Sequence, residues 1–456
     1  QRTCYDVVKN HFENGGEPLR MMVLGTAGTG KSYLVYALSR LLGGSLRRAP
    51  PTGMVGFLIA GSTVYSLLRL PVRQGKILQG PSLKALQDSL AGIKYLIISE
   101  LSMVSQAQFA WVDRRLRQGK CVDQPFGGTS VIMTGDLGQL QPVGGSPLYK
   151  QNPTAALDVE GYAAYSLFRD VFILDRVQRQ TAAAADDDDQ RGFIELLPRA
   201  RNGQLTQEDW DLLLKRQPNS LTADEKADFV VATRLFFSKK EVYKYNGKKL
   251  RELDNPVARV SAVHTGADAR RATADTAEGL ERDLYLGKGA KVLLTKNLYQ
   301  QVGLVNGIRG KVVELVYAND APPPALPLYV VVKFRGYSGG EWSSQERYRG
   351  CVPISPVDTT WQDGGTQVRT QLPLRLCWAI TMHKPQGQTL DKAVIDLGPK
   401  KVCTGLTFVC LSRAKRLVDL IVEPMPFDRI GNLRTSSTMN ARLLEEVRLG
   451  ELAQRT

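Results

Sequence analysis

The chain is poor in the residues that build metal cages and disulfide frameworks. Its six cysteines, Cys4, Cys121, Cys351, Cys377, Cys403 and Cys410, form no CxxC pair, and its three histidines are His11, His264 and His383. This scarcity argues against a structural zinc site and for buried free thiols in a reducing compartment. No window of 18 or more consecutive apolar residues occurs, and no basic segment followed by an apolar one opens the chain. A membrane span and a secretory leader are therefore not expected, and a soluble, unsecreted protein is. The abrupt start at Gln1 leaves a longer parent protein open. No internal repeat is evident.

What is present is an ordinary globular composition. With 456 residues, 43% hydrophobic and 23% charged, the chain can build roughly two to four domains. Lys and Arg number 60 against 45 acids, a formal net charge of +15, which favours a polyanionic partner such as nucleic acid. Many basic proteins bind none, so charge alone does not decide this.

Along the first part of the chain, strand-like runs ("LRMMVLG", "MVGFLIAG", "YLIIS", "SVIMTGD", "VFILD") alternate with helix-like stretches ("KSYLVYALSRLL", "FAWVDRRLRQ"). That alternation predicts a parallel sheet covered by helices. Between Leu68 and Gly92 a piece containing Gly, Pro and Lys interrupts it and reads as an insertion outside the sheet. The low-complexity "TAAAADDDDQ" (Thr181 to Gln190) reads as a solvated loop and marks a domain boundary. Later, "GAKVLLTKNL", "GIRGKVVELVYAND" and "LYVVVKFRGY", with Pro322, Pro323 and Pro324 between two of them, predict an all-β insert, a small barrel. Two segments after it return to the α/β pattern.

"GTAGTGKS" (Gly25, Thr26, Ala27, Gly28, Thr29, Gly30, Lys31, Ser32) matches G-x-x-x-x-G-K-[ST] between a strand-like and a helix-like run. That context identifies a phosphate-binding loop: backbone N–H groups curl around the β-phosphate, Lys31 neutralises β and γ oxygens, and Ser32 ligates Mg²⁺. The strand "YLIIS" follows about seventy residues on and makes Glu100 the candidate general base. Ser99 stands where an Asp commonly precedes that Glu. A third strand runs into Asp136 and Gln139, and a Gln there suits sensing the γ-phosphate or orienting water. Taken alone, Gln139 could equally be a polar loop residue.

In order and approximate spacing, "GTAGTGKS", "ISELSM", "GDLGQLQPV", "VQRQ", "TMHKPQGQTL" and "CLSRAK" resemble the motifs of superfamily 1B, RecD-like helicases, most closely the Pif (petite integration frequency) family of DNA helicases. The resemblance runs from Gln1 to about Val422. It implies an α/β fold of two RecA-like P-loop NTPase domains, with a small wedge insertion in the first and an SH3-like all-β insertion in the second. The implied boundaries are 1–180 for the first domain with its insertion at 68–92, 181–288 for the start of the second, 289–372 for the SH3-like part ("GLVNGIRG" fits it), and 373–456 for the remainder with a C-terminal helix.

By the same resemblance, Gln1 reads adenine, Arg179 and Arg413 reach the γ-phosphate, and Gln386 and Gly387 couple nucleotide to DNA. Taken singly, each arginine reads as a surface residue. Thr52, Gly53, Thr63, Tyr65, Thr381, His383 and Lys384 lie along single-stranded DNA, Tyr65 standing where the family often has His, so that it stacks on a base or merely packs. Ser32 and Ser99 are the metal-side residues. The helix carrying Arg114, Arg115 and Arg117 resembles the family's signature helix, a solvated face being the simpler alternative.

The activity so implied is ATP- and Mg²⁺-dependent 5′-to-3′ translocation and unwinding of forked or structured DNA, G-quadruplex and RNA–DNA hybrids included. Its setting is genome maintenance, repair or recombination, carried out by a monomer away from membranes: in the nucleus or mitochondrion of a eukaryote, or the cytoplasm of a bacterium. The contrasting possibility is a helicase-fold protein that binds ATP and single-stranded DNA but hydrolyses slowly, because the Ser99 hydroxyl carries no charge. A P-loop NTPase acting on protein partners is a third.

Overall fold

The computed structural model describes residues 1–51, 63–71, 75–179, 187–362, 365–383, 385–386, 389–398, 405–431 and 437–456. The run "MVGFLIAG" and four of the candidate residues, Thr52, Gly53, Lys384 and Gly387, lie outside them, as does Cys403. The chain divides into two compact units, Gln1–Val230 with Met382–Thr456, and Val231–Thr381.

In the first unit, β1 (Arg20–Gly25), β2 (Leu46–Arg48), β3 (Tyr95–Ser99), β4 (Ser130–Gly135) and β5 (Asp170–Leu174) form a parallel sheet in the order β2-β3-β4-β1-β5. Every residue of β3 and β4 is buried. Strands covered on both faces need apolar residues on both sides, which is why these two read as continuous apolar runs and not as alternation. Along β1 the pleat divides the core: Met21 and Val23 pack with Leu34 and Leu38, while Met22 and Leu24 pack with Phe109 and Phe168. Each such fully buried side chain contributes about 1.5–3 kcal/mol relative to exposure.

The helices follow from local signals. α1 (Arg2–Asn14) and α2 (Lys31–Leu42) line one face. Two further helices, α3 (Val64–Leu68) and α4 (Gly80–Leu90), occupy part of the 68–92 insertion and its approach, a stretch whose Gly, Pro and Lys residues read as loop. Leu86 and Leu90 of α4 are buried against the core, four positions apart on one helix face. α5 (Gln106–Lys120) opens on a capping box between Ser105 and Gln108. On it, Arg115 is no solvated residue: it is 2% exposed, donates to Lys76 O at 2.8 Å and Gln118 Oε1 at 2.9 Å, and lies 4.9 Å over the Trp111 ring. Arg114 instead pairs with Glu160 of α6 (Ala156–Tyr165), and Arg117 with Asp113 and Asp123.

The acidic run is also more than a solvated loop. Asp187 caps α7 (Asp188–Arg201), accepting from the N–H groups of Asp189 and Gln190, and the acids of the first turn suit the positive end of the helix dipole. Towards the C-terminus, Ala393–Asp396 pairs in parallel with Leu420–Val422, and the helix Ser437–Ala453 lays Leu449 into the core of the first sheet. Cys121 departs from the expectation of buried thiols: it is free and exposed, whereas Cys4, Cys351, Cys377 and Cys410 are free and buried.

The second unit is mostly antiparallel. Val352–Ile354, Tyr329–Phe334, Arg309–Val316, Lys291–Leu294 and Leu374–Leu376 form a five-stranded sheet in that order around Val292, Leu294, Val312, Val330 and Val332. Thr233–Phe236 pairs in parallel with Ala379–Thr381, beside the helix Lys239–Arg251, whose buried Asn246 bonds Ala379 through both ends of its amide. None of the described helices is long and apolar enough to cross a membrane.

Candidate nucleotide site

Register aligns Leu24 with Gly135 and Ser99 with Thr134, so β1, β3 and β4 end at one edge of the sheet and the loops after them meet there. That edge is where open α/β sheets bind ligands. The loop after β1 turns through Gly28 and Gly30, both at positive φ, and Gly30 hands over to α2 at Lys31. A side chain at Gly25 would strike Leu174 O at 2.8 Å, which explains the glycine there. Gln1 sits on the loop, its Nε2 donating to Thr29 O and Gly30 O at 3.2 Å each.

Lys31 Nζ donates to Gly25 O at 2.6 Å and Thr26 O at 2.8 Å. Burial lowers its pKa; Asp136 and Glu100 pull the other way, while Arg179 and Arg413 lower it further. Three cations and two carboxylates thus interact in one region, half-buried at Lys31, Glu100 and Arg179 and buried at Asp136 and Arg413, and the excess of positive charge suits a polyphosphate. Ser32, on the first turn of α2, is exposed.

Glu100 leaves β3 in the left-handed conformation, φ 57°, at the start of a short 3₁₀ turn, and accepts from Gln386 Nε2 at 3.0 Å. Ser99 is buried and accepts a 3.3 Å hydrogen bond from Thr134 Oγ1. Asp136, 1% exposed, accepts through Oδ1 from Gly138 N at 2.9 Å and from Arg201 Nε and Nη2 at 2.9 and 2.6 Å. Burial would raise its pKa, but Arg201, Lys31 and the Gly138 N–H outweigh that and hold the carboxyl below its ordinary value. Gln139, on the same loop, is 4% exposed.

The arginines arrive from distant segments. Arg179 Nη1 donates to Ser412 O at 3.0 Å; burial lowers its pKa and Glu100 opposes. Arg413 is 1% exposed, donating to Val409 O at 2.7 Å, Ser412 Oγ at 2.8 Å and Pro385 O at 3.3 Å. Burial pushes its guanidinium down to about 10, with Arg179 adding to the fall. Arg413 is therefore no surface residue, while Arg179 is half-buried.

Thr63 caps α3, accepting from Ser66 N at 3.1 Å. The Tyr65 hydroxyl accepts from Gln108 Nε2 and its ring packs at the core margin. Thr381 ends its strand in the second unit, and His383 belongs to the first, its imidazole pushed below the ordinary histidine value by burial. Sequence reasoning missed Arg201, Glu446 and Arg442. Arg201 bridges Asp136 to Glu446 of the C-terminal helix (2.5 Å), and Arg442 donates to Arg201 O at 3.0 Å. No local pattern marks them, since Glu446 lies 245 positions from Arg201.

A model of PIF1-like helicases matches residues 1–211, and a model of the 2B domain of DNA helicase Pif1 matches residues 277–315; together they take in more than half of the chain. The chain belongs to the PIF1-like helicase family. The ATP-dependent DNA helicase PIF1 of Danio rerio is 33% identical over 412 residues, 89% of this chain, and that of Homo sapiens 32% identical over 421 residues, 88% of this chain. The chain spans 58% of the length of each of these two relatives. In fold, Candida albicans Pif1 helicase matches with a TM-score of 0.75 at 24% identity, covering 98% of both chains. A Bacteroides Pif1 bound to single-stranded DNA matches with a TM-score of 0.68 at 24% identity, covering 93% of this chain and 92% of that one. The RecA-like α/β fold with antiparallel insertions expected of the family is the fold of this chain.

Proposed function

We propose that this chain is the motor of an ATP-dependent DNA helicase, moving 5′ to 3′ on single-stranded DNA and parting forked or structured duplexes. The observation that carries the proposal is the convergence of Lys31, Glu100 bonded to Gln386, and the Arg179–Ser412–Arg413 cluster on one sheet edge.

In this reading Gln1 borders the adenine and the backbone N–H groups of 25–32 cradle the phosphates. Lys31, Arg179 and Arg413 neutralise charge on the γ-phosphate as it transfers. Glu100 orients and deprotonates the attacking water, and Gln139 senses the γ-phosphate. Their grip changes when the γ-phosphate leaves, which biases the motor between two states. The Gln386–Glu100 bond links that change to the segment of Thr381, His383 and Lys384, which, with Thr52, Gly53, Thr63 and Tyr65, contacts the DNA backbone. His383, whose imidazole burial pushes below the ordinary histidine value, suits a hydrogen bond to a phosphate oxygen.

Magnesium fits this oxygen-donor set: Ser32 would ligate it, with Ser99 beside it, and the ion when bound neutralises β and γ oxygens. Among the described residues no three His, Cys, Asp or Glu side chains cluster as a ready cage, in keeping with an ion held largely by phosphate and water.

Unwinding of 5′-tailed and 3′-tailed duplexes, with Lys31→Ala as control, tests the proposal. Unwinding of the 5′-tailed substrate alone is expected; unwinding of the 3′-tailed one alone overturns the direction, and ATPase activity indifferent to single-stranded DNA overturns the motor. The same assay on G-quadruplex and RNA–DNA hybrid substrates ranks them, and sedimentation on DNA tests action as a monomer.

A further inference from the structure

Ser99 removes one carboxylate from the nucleotide site, and the neighbouring strand ends in another. Thr134, the register partner of Ser99, hydrogen-bonds its hydroxyl, and Asp136 follows two residues later at the tip of β4. The side chain of Asp136 is 0% exposed. Three donors converge on its Oδ1, and its Oδ2 has no hydrogen-bond partner among the described residues.

Two more buried acceptors nearby share that condition, Gln139 Oε1 on the same loop and Gln386 Oε1, whose amide nitrogen holds Glu100. Such groups cost free energy unless a donor reaches them. Phosphate oxygens are acceptors and cannot satisfy them. Water bound to a cation can, since the ion polarises its O–H groups outward.

We infer that Asp136, fixed by Arg201, is the second carboxylate of the nucleotide site, accepting a hydrogen bond from magnesium-bound water in the role left open by serine at position 99. The inference rests on the reading of this edge as an ATP site. Arg201 is the positioning residue: it occupies Oδ1 and so leaves Oδ2 as the oxygen that faces the ion's water shell. Glu446 holds the other side of the same guanidinium through Nη1 at 3.1 Å and Nη2 at 2.5 Å, so Arg201 cannot swing to cover Oδ2 without leaving its second partner. The charge lost at 99 is thereby supplied from the end of the adjacent strand, two residues beyond the register partner of Ser99.

The test titrates Mn²⁺ into the full chain saturated with ADP, following the free Mn²⁺ signal by electron paramagnetic resonance, and separately measures ADP affinity without metal. Asp136→Asn is expected to weaken Mn²⁺ binding by about 10- to 100-fold, as loss of an outer-shell partner does, and to change metal-free ADP affinity by much less than that. Ser99→Asp added to Asp136→Asn is expected to restore Mn²⁺ binding, which a misfolded variant could not do. Native-like Mn²⁺ affinity in Asp136→Asn overturns the inference alone. So does an equal fall in both affinities, or no recovery in the double variant. A native chain that binds no ADP overturns the ATP-site reading together with it.

Discussion

The loops that follow β1 and β4 leave the same edge of one parallel sheet, yet they are held in different ways. The first is shaped mainly by its own sequence: glycines at 25, 28 and 30 form the turn and Lys31 bonds to carbonyls five and six positions before it, while Gln1 and the Gln178 N–H add bonds to its carbonyls from outside. The second is held from far away, its Asp136 pinned by Arg201, 65 positions on, which Glu446 holds in turn. Mutational damage should therefore fall differently on the two loops. A loop shaped mostly by nearby residues can lose its chemistry with little cost to the fold, whereas a loop held by a buried ion triad loses fold and chemistry together.

The sharpest separation should come from Lys31→Ala. DNA-stimulated ATP turnover is expected to fall on the order of a thousandfold, while the urea unfolding midpoint stays near that of the native chain; a collapse of stability would erase the contrast. Arg201→Ala should do the opposite first, costing about 3–5 kcal/mol of unfolding free energy because it strands a buried carboxylate, with Arg201→Met recovering part of it.

The sign of the pH dependence follows from the depressed pKa of Asp136. Its stabilisation is present above the ordinary aspartate value of about 3.9 and is lost as pH falls through the lower folded-state value. Without Arg201 the buried carboxyl takes up its proton at higher pH, so acid unfolding of Arg201→Met, followed by tryptophan fluorescence, should begin at higher pH than in the native chain.

Ser99→Asp comes next and is expected to raise ATP turnover by less than about tenfold, short of the 10²- to 10³-fold that one missing transition-state contact commands. A larger rise would mean that Asp136 does not cover for Ser99 and that the chain is an impaired hydrolase. Smallest of all is Arg114→Ala. Its pair with Glu160 is about 40% exposed on both sides, so denaturant titration should show a loss under about 1 kcal/mol. A loss as large as that of Arg201→Ala would deny that burial is what separates the two arginines.

Much of this was legible in the chain. "YLIIS" and "SVIMTG" announced central strands because burial on both faces demands an unbroken apolar run. "GTAGTGKS" announced its function because its conformation and its chemistry depend on residues within eight positions. The helix α4 was harder to see, since a helix with few buried positions among Gly, Pro and Lys resembles a loop. Arg115 looked like one more surface charge; what buries it is a carbonyl at Lys76 and the ring of Trp111.

The phosphate loop, the parallel sheet, the family and the candidacy of Glu100 could be read from the chain alone, because each is written in periodicity or in a short run of residues. The surroundings of Ser99, Asp136, Arg179 and Arg413 emerged only with the folded chain. A buried polar group takes its meaning from its partners, and here those partners are contributed by segments up to 233 positions away. Distance along the chain hides them, and the adjacency of β3 and β4 brings Ser99 and Asp136 to the same edge.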